Sequence, residues 1–522
     1  MQDEVNDKTL NLCIQAGRIT ANTLKAAMRK YLNDMEKRKN LKIQKKNVSK
    51  NEEIKVKARD KAEKKLEAKK PRGKQTMKQL MNQGVQLTNI PITDDNIKSF
   101  ERIARKYGID YSLKKDVSKQ RKIRNSEYYD MEGTFDRLYA ESKKDKTFNH
   151  LMEIIESEEN IKLAYRTIKK NTGSDTSGVD KRTIADLAKL SEEEYVRLIR
   201  KQFSNYHPRP VRRVEIPKPN GKTRPLGIPT IVDRIVQQCI LQVMEPICEA
   251  KFSENSNGFR PNRSAETAIA QCMRLIQVQH LYHVVDLDIK GFFDNISHTK
   301  LIRQIWALGI RDKKLLCIIK EMLNAPVVLP NGEKTYPARG TPQGGILSPL
   351  LANIVLNELD WWIASQWEEM PTKTKFKTRS NAQGTEIKSH AYRALRRSRL
   401  KEMHAVRYAD DFKIFCATHE DAVRAYKATE LWLKDRLGLE ISPDKSKVVN
   451  LKRQYSDFLG FKLKVRKKGK KYVVRSHMSD KAYKKAHEKV SEEVKKLAHS
   501  SDDNAQFMQL QKYNSVVAGL HE

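Results

Sequence analysis

The spacing of apolar residues changes character several times along the chain. Leu10, Leu12, Ile14, Ile19, Leu24 and Met28, set among Ala and Lys, predict a helix over residues 8–39. Residues 40–72 are lysine-rich and nearly free of aromatics; they read as a solvated helix or a disordered linker ending at residues 71–73. Residues 85–92 then predict a strand. Phe100, Ile103 and Ala104 predict a helix, capped by Asp94 or Asp95 and stopped at Gly108, and Ile109, Tyr111 and Leu113 alternate as a second strand. The result is a small basic α/β unit without a catalytic constellation. Residues 125–200 are mainly helical in period, through Phe135, Leu138, Leu151, Ile154, Ile155, Ile161, Leu163 and Ile168. From Pro208 to about Val474, strand-like runs and Pro and Gly punctuation predict an α+β region. Residues 479–522 are basic and helical in period and end on GLHE with no stop signal, so the chain is expected to finish inside an element.

Charge adds the partner class. The 522 residues carry 102 Lys and Arg against 65 Asp and Glu, a formal net charge of +37. An excess of that size repels itself unless an anion neutralises it, and nucleic acid does so with release of counterions. The excess is not confined to one tail. No segment is apolar and long enough to span a bilayer, and no signal-peptide core follows Met1, so no membrane role is expected. Cys13, Cys239, Cys248, Cys272, Cys317 and Cys416 include no C-x-x-C pair. Most sit among apolar residues and read as buried free thiols in a reducing cytoplasm.

Two acidic strands supply candidate chemistry. Residues 404–416 read HAVRYADDFKIFC, in which Val406 and Tyr408, then Phe412, Ile414 and Cys416, alternate on either side of residues 409–411. This is a strand, a tight acidic turn and a strand. Consecutive Asp410 and Asp411 in an apolar hairpin repel each other and are costly to desolvate without a cation. Residues 281–295 read LYHVVDLDIKGFFDN, a strand ending at Asp288 and followed by Gly291, Phe292 and Phe293. Asp286 lies two residues back on the same face and reads as a supporting acid; Asp294 reads as a helix N-cap or first-turn acid. Carboxylates on adjacent rigid strands suit phosphoryl transfer assisted by two Mg²⁺ ions about 3.5–4 Å apart.

Between these strands, ARGTPQGGILSPLLANIVLNELD (residues 338–360) reads as a polar turn opening an apolar helix at Ser348 and Pro349. Gly344 and Gly345 allow backbone to approach a ligand, and Gln343 is placed to hydrogen-bond one. Upstream, VRRVEIPKPNGKTRPLGIP reads as a hairpin turning at Asn220 and Gly221. Lys218 and Arg224 on it are candidates to grip a triphosphate; Lys222 reads as a solvated lysine.

Two family resemblances follow from these segments. GKQTMKQLMNQGVQLTNIPITDDNIKSFERIARKYGIDYSLKKD, with the helical start before it, resembles the small basic PcfB-like proteins of conjugative transfer. The resemblance implies an association with transfer proteins through residues 1–117. Further on, PKPNGKTRPLGIP, GFRPNRSAETAI, DLDIKGFFDNISH, GTPQGGILSPLLANI, RYADDF, GLEISPDKSKVV and DFLGFKL stand in the order and spacing of group II intron reverse transcriptases, over about residues 125–522. The second resemblance implies an RNA-directed DNA polymerase with a right-hand architecture. Residues 118–280 would form an N-terminal extension and fingers, 281–475 a palm with an insertion at 371–403, and 476–522 the start of a helical thumb or maturase domain.

The same resemblance implies roles residue by residue. Asp288, Asp410 and Asp411 resemble the ligands of two Mg²⁺ ions, with the backbone carbonyl of Ile289 as a further ligand. Phe293 resembles the steric gate that excludes a ribose 2′-hydroxyl. Lys218, Arg224, Gln343 and Gly344 resemble nucleotide contacts, and Leu459 and Gly460 the primer grip. Lys445 resembles the lysine that protonates the pyrophosphate leaving group; a plain surface lysine is the other reading. Arg393, Arg396, Arg397 and Arg399 read either as a solvated insertion or as contacts to structured intron RNA, since Arg suits phosphate and base stacking. Implied partners are intron RNA, an RNA template, a DNA primer and dNTPs. The family's thumb should continue past Glu522, and its DNA-binding and endonuclease regions find no counterpart, which leaves maturase activity open and gives homing by DNA cleavage no support.

Overall fold

The computed structural model describes residue 126 and residues 129–171, 173–217, 223–376, 388–499 and 503–521. The expected α/β unit of residues 1–117, together with Cys13, Lys218, the Asn220–Gly221 turn and Lys222, lies outside them. The described chain mixes helix and sheet, as the α+β reading expects.

Helices come first, and polar caps start most of them. Ser157 accepts from the amide of Asn160 to open Glu158–Lys169, and Ser191 and Glu194 form a capping box at Glu192–Ser204. Their apolar faces pack on the 19-residue helix Ile231–Glu249, of which one flank is almost wholly buried. Buried polar groups at that junction are satisfied: the Asn160 amide donates to the carbonyls of Ile155 and Cys239 (3.0 and 3.1 Å) and accepts from Gln242 Nε2 at 2.7 Å.

The strands form three sheets. β1 (Val211–Pro217) and β2 (Thr223–Ile228) form an antiparallel hairpin; β3 is His283–Asp288, and β4 (Val327–Val328) pairs in parallel with β1 and carries β5 (Lys334–Thr335). β6 (Met403–Tyr408), β7 (Asp411–Cys416) and β8 (Lys447–Asn450) join β3 in an antiparallel sheet of order β6-β7-β3-β8. β9 (Ser456–Phe458), β10 (Phe461–Lys468) and β11 (Lys471–Met478) make the third sheet, followed by helices Asp480–Ala498 and Asp503–His521.

The alternation of side chains divides the core at the central sheet. Val285, Leu287, Phe412 and Ile414 face the large cluster built on helices Ile231–Glu249, His298–Ala307 and Ser348–Gln366. Val284, Val406 and Phe415 point the other way, onto helix Ala265–Gln277 and the third sheet. Asp286, Asp288, Asp411 and Lys413 share that second face by register, where the apolar packing gives way to a polar end. No helix among the described residues is long and apolar enough to cross a membrane. Cys239, Cys248, Cys272 and Cys416 are buried and Cys317 is exposed; burial pushes the Cys272 and Cys416 thiols up to about 12.

Candidate active site

The acidic residues meet at one end of the central sheet because of strand register. Asp288 lies directly opposite Asp411, and directly opposite residues in an antiparallel pair place Cβ atoms about 4.5–5.5 Å apart. Tyr408 also pairs with Asp411, so the β6–β7 turn consists of Ala409 and Asp410 alone. The sequence places Asp411 in the turn; the structure makes it the first residue of β7. Ala409 is left-handed (φ 57°), a conformation that costs a non-glycine residue about 1–3 kcal/mol.

A second chain segment clamps that turn. The amide of Arg407 donates to the carbonyl of Asn255, and that of Asn257 to the carbonyl of Arg407, both at 2.8 Å. Gly258 then passes so close that a Cβ on it would lie 2.3 Å from the Ala409 nitrogen. The Arg407 side chain, 1% exposed, bonds both oxygens of Asp360, the Asn353 side-chain oxygen at 3.1 Å, Ser256 Oγ at 2.7 Å and the Ala409 carbonyl at 2.8 Å.

Burial and mutual repulsion dominate the electrostatics. Burial pushes the Asp411 carboxyl up to about 7; Lys413 opposes the shift, while Asp286, Asp288 and Asp410 add to it. Asp410 is raised by burial and by Asp288, against Arg224 and Lys445. Asp286 is a supporting acid: its Oδ1 accepts from Lys413 Nζ at 2.5 Å and Ser456 Oγ at 2.8 Å. Lys445 reaches the site, donating to Asp288 Oδ2 at 2.9 Å, and that contact raises its pKa. Ile289 is buried and bridges to Ile441; its neighbour carbonyl on Asp288 is taken by the amide of Ser442.

Among the described residues, no three His, Cys, Asp or Glu side chains converge tightly enough to hold an ion by themselves. Magnesium needs less from a protein, since one or two carboxylates with phosphate oxygens and water complete its shell. Asp288, Asp410 and Asp411, hard oxygen donors that lack enough positive charge to keep Asp410 and Asp411 at ordinary pKa values, fit such a cation.

The glycine turn packs beside this end. The Thr341 amide donates to the Phe293 carbonyl at 2.8 Å, and the Gly340 amide to the Ile296 carbonyl at 2.7 Å. Gly344 adopts φ 111° with a virtual Cβ 2.5 Å from the Gly227 carbonyl, so only glycine fits against β2. Arg224 Nε donates to Gln343 Oε1 at 3.1 Å, joining two of the sequence-predicted nucleotide contacts. Phe293 is half-buried, edge-on to Phe259 and Phe292 at centroid distances of 6.5 and 5.4 Å. The helix after the turn begins at Ser348, but the Ser348 hydroxyl donates to the Pro342 carbonyl instead of capping.

Leu459 and Gly460 form the two-residue β9–β10 turn, both at positive φ. They line a pocket with Asp411, Asp457, Lys462 and Ser479, which brings the predicted primer grip to the carboxylate end. Arg393, Arg396, Arg397 and Arg399 are all exposed on and after helix Ser389–Arg396, and Arg396 is in addition held by Glu402 in two bonds of 2.8 and 2.7 Å. Arg407, Asp360, Asn353 and Lys413 carry no local sequence signal of this role beyond lying inside otherwise apolar runs, and their partners lie far along the chain.

Comparison with known proteins places this geometry. A family model described as reverse transcriptase (RNA-dependent DNA polymerase) matches residues 216–463, and one described as a protein of unknown function matches residues 21–172. The chain is 35% identical over 365 residues to the group II intron-encoded protein LtrA of Lactococcus lactis subsp. cremoris, covering 62% of this chain and 58% of that protein. It is 32% identical over 375 residues to the putative COX1/OXI3 intron 2 protein of Saccharomyces cerevisiae, with 64% and 43% covered. It is also 32% identical over 334 residues to protein YkfC of Escherichia coli, with 61% and 84% covered. The chain thus spans a little over half the length of the first of these relatives. With a matching model across the acidic strands and most of YkfC's length covered, this chain belongs to the reverse transcriptase family.

Proposed function

We propose that the protein is an RNA-directed DNA polymerase of a group II intron ribonucleoprotein, extending a DNA primer on an RNA template. The observation that carries the reading is the pairing of Asp288 with Asp411 beside a turn carrying Asp410, with Asp410 and Asp411 raised by burial and repulsion. In right-hand terms, the β6-β7-β3-β8 sheet is the palm, the helices before β1 and the β2-β1-β4-β5 sheet are the fingers, and helices Asp480–Ala498 and Asp503–His521 begin a thumb.

Asp288, Asp410, Asp411 and the Ile289 carbonyl would hold two Mg²⁺ ions. Bound there, the ions supply activation of the primer 3′-hydroxyl and charge stabilisation on the leaving oxygen. The protein's own groups do the rest. Arg224, joined to Gln343, orients the incoming nucleotide with Lys218, while Gly344 lets the backbone approach it. Phe293 closes the space beside the sugar and so selects dNTPs. Leu459 and Gly460 hold the primer end, and Lys445 Nζ is the proton donor for pyrophosphate. Arg393, Arg397 and Arg399 contact intron RNA. Residues 1–117 contact conjugative-transfer proteins, and the buried thiols support a reducing, cytoplasmic setting.

The test is Asp410→Ala. The reading expects RNA-templated extension to vanish with RNA binding retained; extension at wild-type rate rejects it.

A further inference from the structure

The β10–β11 ribbon carries eight Lys and Arg and no Asp or Glu between Phe461 and Met478. Its two faces differ. Leu463, Val465 and Val474 turn inward onto helix Ala265–Gln277. On the outward face the register sets Lys464 directly opposite Arg475 and Lys468 directly opposite Lys471, with Arg466 between them. Like charges directly opposite on one face destabilise a strand pair. Lys462 is paired with Asp480; among the described residues no carboxylate comes within ion-pair distance of Lys464, Arg466, Lys468, Lys471 or Arg475. Tyr455, 38% exposed, lies beside them with Lys464 Nζ 5.0 Å from its ring centre and His477 tilted against it.

A fold does not keep a ladder of unneutralised, mutually repelling cations for its own stability. We infer that the outward face of the β10–β11 ribbon is a docking surface for structured RNA, held by its phosphate backbone outside the polymerising cleft. Position argues for the separate site. Lys462 lies in the pocket with Asp411, but Arg466, Lys468 and, opposite it on β11, Lys471 sit toward the far end of the ribbon, about 14–20 Å further on at about 3.4 Å per residue. Gln277, at the end of helix Ala265–Gln277, accepts from the Val474 amide at 2.9 Å and donates to the Tyr472 carbonyl at 3.4 Å, so the cations are presented on a fixed ribbon. Lysine and arginine rows on one rigid edge suit the phosphates of an RNA stem, which proteins read by shape and backbone. Tyr455 adds a ring on which an unpaired base can stack.

This inference rests on the chain being a nucleic-acid enzyme, and its test separates the two. The variant Arg466→Gln, Lys468→Gln, Lys471→Gln is compared with the parent protein on two probes. One is a closed RNA hairpin of about 20 base pairs, which offers no extendable end. The other is oligo(dT) annealed to poly(rA), extended with dTTP. Hairpin affinity is expected to fall by at least about tenfold near 0.1 M salt, with the logarithmic salt slope shallower by about 3, while extension is unchanged. The melting temperature should hold or rise, because the repulsion is gone, and the Lys468→Arg, Lys471→Arg variant should bind as the parent does. Unchanged hairpin binding overturns the inference. Equal losses on both probes also overturn it, by placing the ladder on the primer–template. Loss of hairpin binding in a protein that never extends a primer upholds the docking surface and defeats the polymerase reading instead.

Discussion

Arg407 and Asp360 form a buried ion pair joined by three hydrogen bonds beneath the Ala409–Asp410 turn, each side chain 1% exposed and the two 47 residues apart. Arg407 also holds the Ala409 carbonyl, so the pair fixes the backbone that presents Asp410. Removing one member strands a charge in the core, at a cost of about 3–5 kcal/mol. Asp360→Asn should lower the melting temperature by several degrees and lower kcat more than it raises KM, because the turn moves while the nucleotide contacts stay. An Arg407→Met, Asp360→Leu double variant should be more stable than either single change yet still slow. Full activity in the double variant would show that the pair only holds the fold.

Asp411 predicts a conflict between stability and cation binding. Its carboxyl is raised to about 7 from 3.8, so below about pH 7 the folded protein without metal prefers it protonated, and the fold loses stability as pH rises through that interval. Asp411→Asn should raise the metal-free melting temperature at pH 8 while abolishing Mg²⁺-dependent extension. In the parent, apparent Mg²⁺ affinity should climb with pH and level off above about 7, since the ion displaces the proton. Calorimetry in two buffers of different ionisation enthalpy checks the proton release.

His404 predicts the second pH dependence. Burial opposes its charge, but bonds to Glu368 and Glu402 outweigh burial and raise its pKa above 6.5. Stability from the protonated ring is fully present below about pH 6.5 and is lost as pH rises through the raised folded value. Melting temperatures between pH 6 and 9 should fall in the parent and flatten in His404→Gln. A parallel fall in the variant would assign the loss elsewhere.

Phe293 should govern sugar selection. Phe293→Ala should admit ribonucleotides, and Phe259→Ala, which removes the ring edge-on to Phe293, should relax selection less. Competition between rNTP and dNTP in single-turnover extension measures both.

These elements differ in how far the sequence showed them. The β6–β7 hairpin, the strand ending at Asp288 and the glycine turn were legible, because alternation and glycine conformations are local properties. That Asp288 faces Asp411 is a matter of register between strands more than 100 residues apart, which alternation alone does not set. Arg407 resembled any strand arginine until Asp360 and Asn353 arrived from the long buried helix. Lys445 was one lysine among many until strand β8 brought the loop before it onto Asp288. The arginine row of residues 393–399 shows the converse, since its four arginines look alike in the sequence and all are exposed, yet Arg396 is held by Glu402.

Primer extension by the purified protein, with an RNA template, a DNA primer, dNTPs and Mg²⁺, tests the central assignment most directly. Asp288→Asn and an EDTA-treated sample run alongside. The assignment predicts full-length cDNA with the parent and none with either control. Extension that survives Asp288→Asn, or a parent that binds the primer–template and never lengthens it, would contradict it.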